Sequence, residues 1–444
     1  MTLKTFKSCM QRGLGRCYIE LKNCEDREKY KDTVLWGCLH EIAFDAQCEG
    51  TRAAFLYRLI SLFPDRDFFS DRIAEKYRSV SGREPWLFQQ LTELLSYFAE
   101  DGHPTAKDAL AEKYAALYDR LLKKRSFNSY DYERDDFELL TIVMLRSGED
   151  TFPALISDYG GLFLKNPHYE LSCFEWFADR LAETVGKKRL TAELKKHGED
   201  PAWKCFYESY RKLSDRKRER SENRTVISSA EELSETYDGD RMLAISKTIS
   251  FARNADAHEK KKLVDLIEKE SSPEKKAGLL RAFWRENYPG DHEKLIEYAA
   301  SECEALSAAA KEALLSCRSE TVYRYARECL QNDRSDAAAI GILLLNYRKE
   351  DKKLLLSVLS ELKIDRGSES GWHGVVMQIL EVYDRGVRLP REFFAFVYEN
   401  SLCSCCRYHA VLFMGKRRWL SPQMIEECRY DSNDDIVAYV MKKI

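Results

Sequence analysis

Proline, glycine, long apolar runs and an excess of one charge are scarce or absent in this 444-residue sequence. Only 10 prolines and 20 glycines occur, whereas leucine, alanine, glutamate, lysine and arginine are abundant, a composition typical of helix-rich proteins. Lysine and arginine total 71 against 74 acidic residues, and the formal net charge is -3. No chain-wide field therefore attracts nucleic acid or an anionic membrane, and any such binding requires a local basic patch.

The sequence also lacks an uncharged apolar run of the roughly 18 residues that a transmembrane helix needs. Its most apolar stretch, 337–346, is about half that length, which predicts a buried core helix instead. The first ten residues contain no apolar segment of a secretory signal. We therefore expect no membrane span, a cytoplasmic location and reduced thiols at the 14 cysteines.

Apolar residues recur with helical spacing along almost the whole chain. In residues 85–100 they fall at positions i, i+4, i+7, i+8 and i+11, which places them on one face of a helix: Leu87, Leu91, Leu94, Leu95 and Phe98. A strand would show alternation, which this segment does not. Short polar breaks containing proline separate such segments, for example at 63–65 and 271–273. The sequence therefore predicts an all-α protein.

The stretch 290–362 is similar to itself at the scale of one helical hairpin. Residues 295–299 recur as 322–326, 27 positions later, and the alanine pair 309–310 recurs as 337–338, 28 positions later. Ala410 and Ala438 are again 28 residues apart. A hairpin of this size cannot bury its apolar face alone, so neighbouring hairpins must stack into a continuous core.

Two predicted helices begin with an aspartate, at Asp336-Ala-Ala-Ala-Ile and Asp434-Asp-Ile-Val-Ala, and these segments resemble HEAT and armadillo repeats. The resemblance covers residues 240–444. Residues 30–210 share with these repeats only the helical spacing of apolar residues. It implies an α-solenoid of stacked antiparallel helix pairs, in two halves. We predict an N-terminal helical region at 1–210, a charged linker or helix extension at 211–228, and a HEAT-like region at 229–444.

Three short basic clusters are the candidate binding patch. The segment 211–225 holds seven basic and three acidic residues with hardly an apolar one, so it is either a solvated linker or a strip that meets phosphates or an acidic partner. The candidate residues are Lys123, Lys124, Arg125, Arg216, Lys217, Arg218, Arg220, Lys416, Arg417 and Arg418.

Three thiols and an imidazole lie within the seven residues 403–409, which raises the question of a zinc site. On a helix, Cys403 and Cys406 share one face, and Cys405 and His409 share another. The two pairs are centred about 110° apart around the helix axis, too far for four ligands to converge on one ion. We therefore predict small buried cysteines here, and neither a metal nor another cofactor.

Two further motifs have simple structural explanations. Gly13-Leu14-Gly15 lacks the third glycine and the preceding strand of a phosphate-binding loop, so it predicts a turn. The aspartates of 131–136 precede an apolar helix, where carboxylates favour the N-terminal dipole. No catalytic residue is predicted.

Two functions follow from this sequence. The first is a non-catalytic interaction scaffold that binds a protein partner on the extended surface of the solenoid. The second is a nucleic-acid-binding solenoid that uses the basic clusters, which includes enzymes resembling the α-solenoid DNA glycosylases. In that family tryptophans and an aspartate line the groove, and no residue of this chain is matched to them.

Overall fold

A computed structural model describes residues 1–80, 83–124, 132–146, 151–166, 171–222, 226–235, 241–364 and 371–443. These residues form 27 α-helices and a few single 3₁₀ turns, and no strand occurs among them. The prediction of an all-α protein is therefore confirmed. None of the helices in these ranges is both long enough and apolar enough to cross a membrane.

Contacts divide the chain into two units, and the first unit is discontinuous in sequence. Unit 1 comprises residues 1–223 together with 421–444, and unit 2 comprises residues 224–420. Both ends of unit 2 are therefore continuous with unit 1. The sequence analysis groups 421–444 with the preceding repeats, whereas the contacts of this segment lie within unit 1.

Unit 1 begins with thirteen helices. They are α1 (Leu3–Arg12), α2 (Arg16–Asn23), α3 (Lys31–Cys38), α4 (Ala46–Glu49), α5 (Ala53–Ile60), α6 (Asp67–Ser79), α7 (Pro85–Glu100), α8 (Pro104–Lys123), α9 (Tyr132–Arg146), α10 (Phe152–Lys165), α11 (Leu171–Val185), α12 (Lys187–Lys196) and α13 (Pro201–Glu222). Helix α7 contacts α3, α5, α6, α8 and α9, and its five predicted core residues are all buried. The amphipathic pattern thus places α7 at the centre of this unit.

The charged segment that the sequence places at 211–228 is helical over much of its length. The backbone of α13 continues through residue 222, so this part is an extension of a helix. Residues 223–225 lie outside the described ranges, and residues 226–229 precede the first helix of unit 2.

Unit 2 contains the next twelve helices. They are α14 (Ala230–Glu235), α15 (Arg241–Asn254), α16 (Ala257–Lys269), α17 (Pro273–Leu280), α18 (His292–Ala299), α19 (Glu304–Leu314), α20 (Glu320–Asn332), α21 (Ala337–Leu345), α22 (Lys352–Glu361), α23 (Trp372–Asp384), α24 (Arg391–Asn400) and α25 (Ser404–Lys416). Consecutive helices pair, as in α18 with α19, α20 with α21 and α24 with α25. Alternate helices also pack side by side, from α17 through α19, α21 and α23 to α25.

Side chains that cap the helix N-termini fix where several of these helices begin. Asp336 accepts a hydrogen bond from the Ala339 N–H at 3.0 Å, which starts α21 where the sequence predicts it. Ser319 and Ser272 cap α20 and α17 in the same way. Helix α21 spans 337–345 and is almost wholly buried, as its apolar sequence predicts.

The chain returns to unit 1 through two final helices, α26 (Pro422–Cys428) and α27 (Asp434–Lys443). The Arg16 guanidinium donates to the Glu427 carboxylate at 2.6 and 3.0 Å, and Arg58 donates to the carbonyl of Asp431 at 2.6 Å. The rings of Tyr18 and Tyr430 stack with centroids 4.3 Å apart. The turn predicted at Gly13–Gly15 is one contact surface for this segment, because the Ser432 N–H donates to the Gly13 carbonyl at 2.9 Å.

The acidic N-terminus of α9 contains one buried carboxyl group. Glu133 and Asp135 lie in the first turn, where they favour the helix dipole as predicted. Asp136 is instead buried, at 5% exposure. Burial raises the pKa of Asp136 to about 7, and the nearby Lys113 ammonium only partly opposes this shift. The neighbouring Asp135 and Glu133 raise it further, and Arg120 lowers it slightly.

Replacing Asp136 by asparagine is expected to stabilise the protein at pH 8. A carboxyl group whose pKa is raised on folding stabilises the native state fully below its unfolded pKa, and this contribution is lost as the pH rises through the folded value of about 7. The gain in unfolding free energy at pH 8 should be about 2 to 4 kcal/mol, and it should vanish near pH 4. Urea unfolding at both pH values measures it. Asp108→Asn provides the control, because Asp108 is an exposed aspartate of α8 and its replacement should give no gain at pH 8.

Candidate anion-binding site

Two lysines of the first predicted basic cluster pair with carboxylates of α8 and α9. The Lys123 ammonium lies 2.5 Å from the Asp119 carboxylate, and the Lys124 ammonium lies 2.8 Å from that of Glu133. Arg125 lies outside the described residues. Glu133 also pairs with Arg120 at 2.8 Å, so three cations share two carboxylates at this place in unit 1.

The second cluster, Arg216, Lys217, Arg218 and Arg220, lies on the helical backbone of α13. The side chains of these four residues lie outside the described part of the structure.

The third cluster lies at the C-terminal end of α25 and is exposed. The Arg417 guanidinium donates to the Tyr383 hydroxyl at 3.0 and 3.2 Å. Lys416 and Arg418 are also exposed, and Arg418 has a positive φ of 58° where the chain leaves the helix. This cluster belongs to unit 2, whereas the other two belong to unit 1.

Unit 2 contains a cationic cleft whose cations are not among the basic clusters predicted from the sequence. The cleft has a volume of about 480 Å³. Its lining residues follow the C-terminal ends of three alternate helices, α19, α21 and α23: Arg318, Leu345, Asn346, Tyr347, Arg348, Lys349, Gly386, Val387 and Arg388. Four of these side chains are cationic and none is acidic.

The cleft forms because alternate helices of unit 2 end next to one another. The Asn346 side-chain amide, at the end of α21, donates to the Cys317 carbonyl just after α19 at 3.0 Å. The Arg318 guanidinium donates to the carbonyl of Arg385, just after α23, at 2.5 Å. The inter-helix loops that carry the arginines are thereby held side by side.

Part of this positive charge has a structural role. The Arg385 guanidinium donates to the Leu315 carbonyl and the Ser316 hydroxyl at 3.3 and 3.1 Å, so it satisfies groups at the end of α19. The Arg348 guanidinium lies 3.6 Å from the ring centroid of Tyr323 and pairs with Glu320. Cations near helix C-termini also favour the helix dipole.

Three cations of the cleft retain charge for a ligand. Arg318, Lys349 and Arg388 are exposed, and among the described residues no carboxylate lies within ion-pair distance of any of them. The Arg388 guanidinium lies 4.9 Å from the ring centroid of Tyr383 and donates to the Tyr383 carbonyl at 3.3 Å. A carboxylate or phosphate entering the cleft would meet guanidinium and ammonium donors without displacing an existing ion pair.

A second cleft, in unit 1, has a mixed character. It measures about 550 Å³, and it contains both acidic and basic groups beside Trp86, a tryptophan that is 36% exposed. Most other described tryptophans are at least partly buried, as packing anchors should be, although Trp284 is also exposed. The mixed charge gives this cleft no preference for one sign of ligand.

The predicted burial of the cysteines at 403–406 is confirmed for two of them. Cys403 and Cys406 are buried, Cys405 is half-buried and His409 is exposed. Hydrogen bonds from the Cys405 and Cys406 thiols lower the pKa of Cys403, with a smaller contribution from His373. Local sequence analysis missed His373, because it lies 30 residues upstream on α23.

No protein-family model, no curated protein and no solved structure matches this chain.

Proposed function

We propose that the protein is a non-catalytic interaction scaffold in which unit 2 is a HEAT-like α-solenoid that binds an acidic segment of a protein partner in the cationic cleft. The observation that carries this proposal is the cleft lining, which combines Arg318, Arg348, Lys349 and Arg388 with no carboxylate. The resemblance to HEAT repeats and the expected cytoplasmic location stay predictions.

The packing of unit 2 supports a solenoid. Consecutive helices pair in α18 with α19, α20 with α21 and α24 with α25, and each helix of the alternate series from α17 to α25 contacts the next. Repetition of this kind places equivalent loops along one edge, so that single cations from successive repeats build one binding surface. The cleft occupies such an edge.

The chemistry of the lining favours binding over catalysis. Guanidinium groups stay protonated at neutral pH, and the asparagine side-chain amide does not titrate. Neither group therefore acts as a general acid or base in the cleft. Burial raises the pKa of Tyr347, the one tyrosine in the lining, which makes it a still weaker acid. These groups attract and orient an anion.

The surroundings of the cleft favour a short acidic protein segment over nucleic acid. Glu320 pairs with Arg348, and its carboxylate together with that of the exposed Glu350 raises the pKa of Arg348. These carboxylates confine the positive surface to the cleft, whereas a nucleic-acid backbone binds through many cations along an extended surface. An acidic side chain can enter between them and accept both hydrogen bonds of one guanidinium.

Fluorescence anisotropy with a labelled oligoglutamate peptide tests this proposal. Wild-type protein should bind the peptide at low salt and bind it more weakly at an ionic strength of about 0.15 M. The double variant Lys349→Glu/Arg388→Glu should lose about tenfold or more in affinity, because two attractive contacts become repulsive. These two side chains are exposed, so the fold should persist.

The matched control is Lys261→Glu/Lys269→Glu, which makes the same charge change at exposed positions of α16. It should retain most of the peptide affinity. Equal losses in both double variants would show that only net charge matters and would contradict a defined site. Tighter binding of a labelled single-stranded oligonucleotide than of the peptide, lost in the cleft variant, would replace this proposal with nucleic-acid binding.

A further inference from the structure

Three metal-ligating side chains from two helices meet inside unit 2, apart from the cationic cleft. Cys403 immediately precedes α25, Cys406 lies in its first turn, and His373 lies in the first turn of α23. One ligand atom of each residue lies within 4.8 Å of those of the other two. The Cys406 sulfur is 3.3 Å from Nε2 of His373.

The local fold brings the two sulfurs to the same side of α25. Cys403 is the N-cap residue and Cys406 is the third helical residue, so the C-x-x-C spacing turns both thiols toward one face. The Ser401 hydroxyl donates to the Cys403 carbonyl at 2.7 Å and fixes the turn before the helix. Cys403 and Cys406 are 5% and 2% exposed.

The imidazole comes from the neighbouring helix because α23 and α25 pack side by side with their N-termini adjacent. Trp372, which precedes His373, is buried and anchors this end of α23. Met377, one turn further along α23, places its sulfur 3.6 Å from that of Cys406. The ligand set is therefore held by packed secondary structure on both sides.

We infer that Cys403, Cys406 and His373 bind one thiophilic divalent cation such as Zn²⁺, with a fourth coordination position that these three residues leave open. Zinc bonds of about 2.3 Å to sulfur and about 2.0 Å to nitrogen place neighbouring ligand atoms roughly 3.5 to 3.8 Å apart in a tetrahedron. The observed spacing requires only small side-chain movements to reach this geometry. Two cysteines, one histidine and an open position form a known type of zinc coordination.

This inference also explains why the sequence analysis predicted no metal. Cys405 and His409 form the second pair in the sequence, but His409 is exposed. The third ligand is instead His373, which lies in the first turn of α23 as Cys406 lies in the first turn of α25. The ion would tie α23 to α25.

Cobalt substitution of the full-length protein under reducing, oxygen-free conditions tests the site. Titration with Co²⁺ should saturate at one equivalent per chain and produce thiolate-to-cobalt charge-transfer absorption together with tetrahedral ligand-field bands. Addition of Zn²⁺ should abolish these bands, because zinc binds such sites more tightly than cobalt. The variants Cys403→Ser, Cys406→Ser and His373→Gln should each lose the charge-transfer absorption or the stoichiometric binding.

Cys303→Ser is the matched control, since it removes another thiol of unit 2 away from the ligand set and should retain one equivalent. Circular dichroism of each variant separates loss of the ion from loss of the fold, and a folded Cys406→Ser that binds no cobalt supports the site. The inference is overturned if wild-type protein shows no charge-transfer absorption. It is also overturned if Cys405→Ser abolishes binding while Cys403→Ser retains it.

Discussion

Replacing Arg52 by alanine is expected to lower the free energy of unfolding by about 3 to 5 kcal/mol. The side chains of Arg52 and Glu49 are 1% and 0% exposed, and they form an ion pair at 3.0 Å. Glu49 also accepts hydrogen bonds from the Phe44 and Asp45 N–H groups at 2.6 and 2.9 Å. Removal of the guanidinium leaves the Glu49 carboxylate buried without its counter-charge, which is the costly outcome.

The same guanidinium donates to the Ser432 hydroxyl at 2.7 Å, so the substitution should also weaken the docking of residues 421–443. Urea unfolding followed by circular dichroism measures the change. Arg78→Ala is the matched control, because Arg78 pairs with Glu112 at exposed positions, and it should cost less than about 1 kcal/mol. An Arg52→Ala protein as stable as the Arg78→Ala protein would contradict a structural role for the buried pair.

Replacing Gly15 by alanine is expected to displace the C-terminal segment from unit 1. A Cβ atom at this position would lie 2.0 Å from the Glu427 carbonyl oxygen and 2.7 Å from the Tyr430 carbonyl carbon. Gly15 has a φ of -62°, which any residue adopts, so the effect comes from the close approach of the two backbones. The cost should be about 1 to 3 kcal/mol, or more if the segment detaches completely.

Hydrogen–deuterium exchange measures this displacement directly. Faster exchange should appear in residues 421–443 of the Gly15→Ala protein and in the α1 and α2 helices that they contact. Gly374→Ala is the control, because a Cβ atom there meets nothing within 4 Å inside α23, and it should leave stability unchanged or raise it by up to about 1 kcal/mol. Unchanged exchange in residues 421–443 would contradict the docked arrangement.

The helices themselves could be predicted because their signals are local. The apolar face of α7 and the aspartate cap of α21 each depend on residues within a few turns, and both predictions are confirmed. The return of α26 and α27 to unit 1 could not be predicted in this way. Gly15 and Glu427 are in contact although they are more than 400 residues apart in the sequence. The periodicity of apolar residues predicts helices, but it does not predict which distant helices pack together.

The candidate sites show the same difference between local and distant signals. Runs of basic residues predict a binding patch that includes Lys123 and Lys124. In the structure these two lysines form ion pairs with Asp119 and Glu133. The cleft is built from single cations such as Arg318, Arg348 and Arg388, which follow the ends of alternate helices. A sequence pattern that could have identified the cleft is the presence of a cation shortly after every second predicted helix.

The thiol cluster follows the same rule. Alternate helices of unit 2 start side by side, so a residue in the first turn of one can meet a residue in the first turn of the other. His373 and Cys406 occupy such equivalent places on α23 and α25. Comparison of helix starts about 30 residues apart would have brought them together, whereas spacing within one helix could not.

A charge-swap binding experiment tests the central claim, that the cleft of unit 2 binds acidic protein segments, most directly. Labelled oligoglutamate and oligolysine peptides are titrated against wild-type protein and against Lys349→Glu/Arg388→Glu. The claim predicts that wild-type protein prefers oligoglutamate and that the variant loses this preference, while Lys261→Glu/Lys269→Glu keeps it. A variant that keeps the wild-type preference for oligoglutamate would contradict the claim.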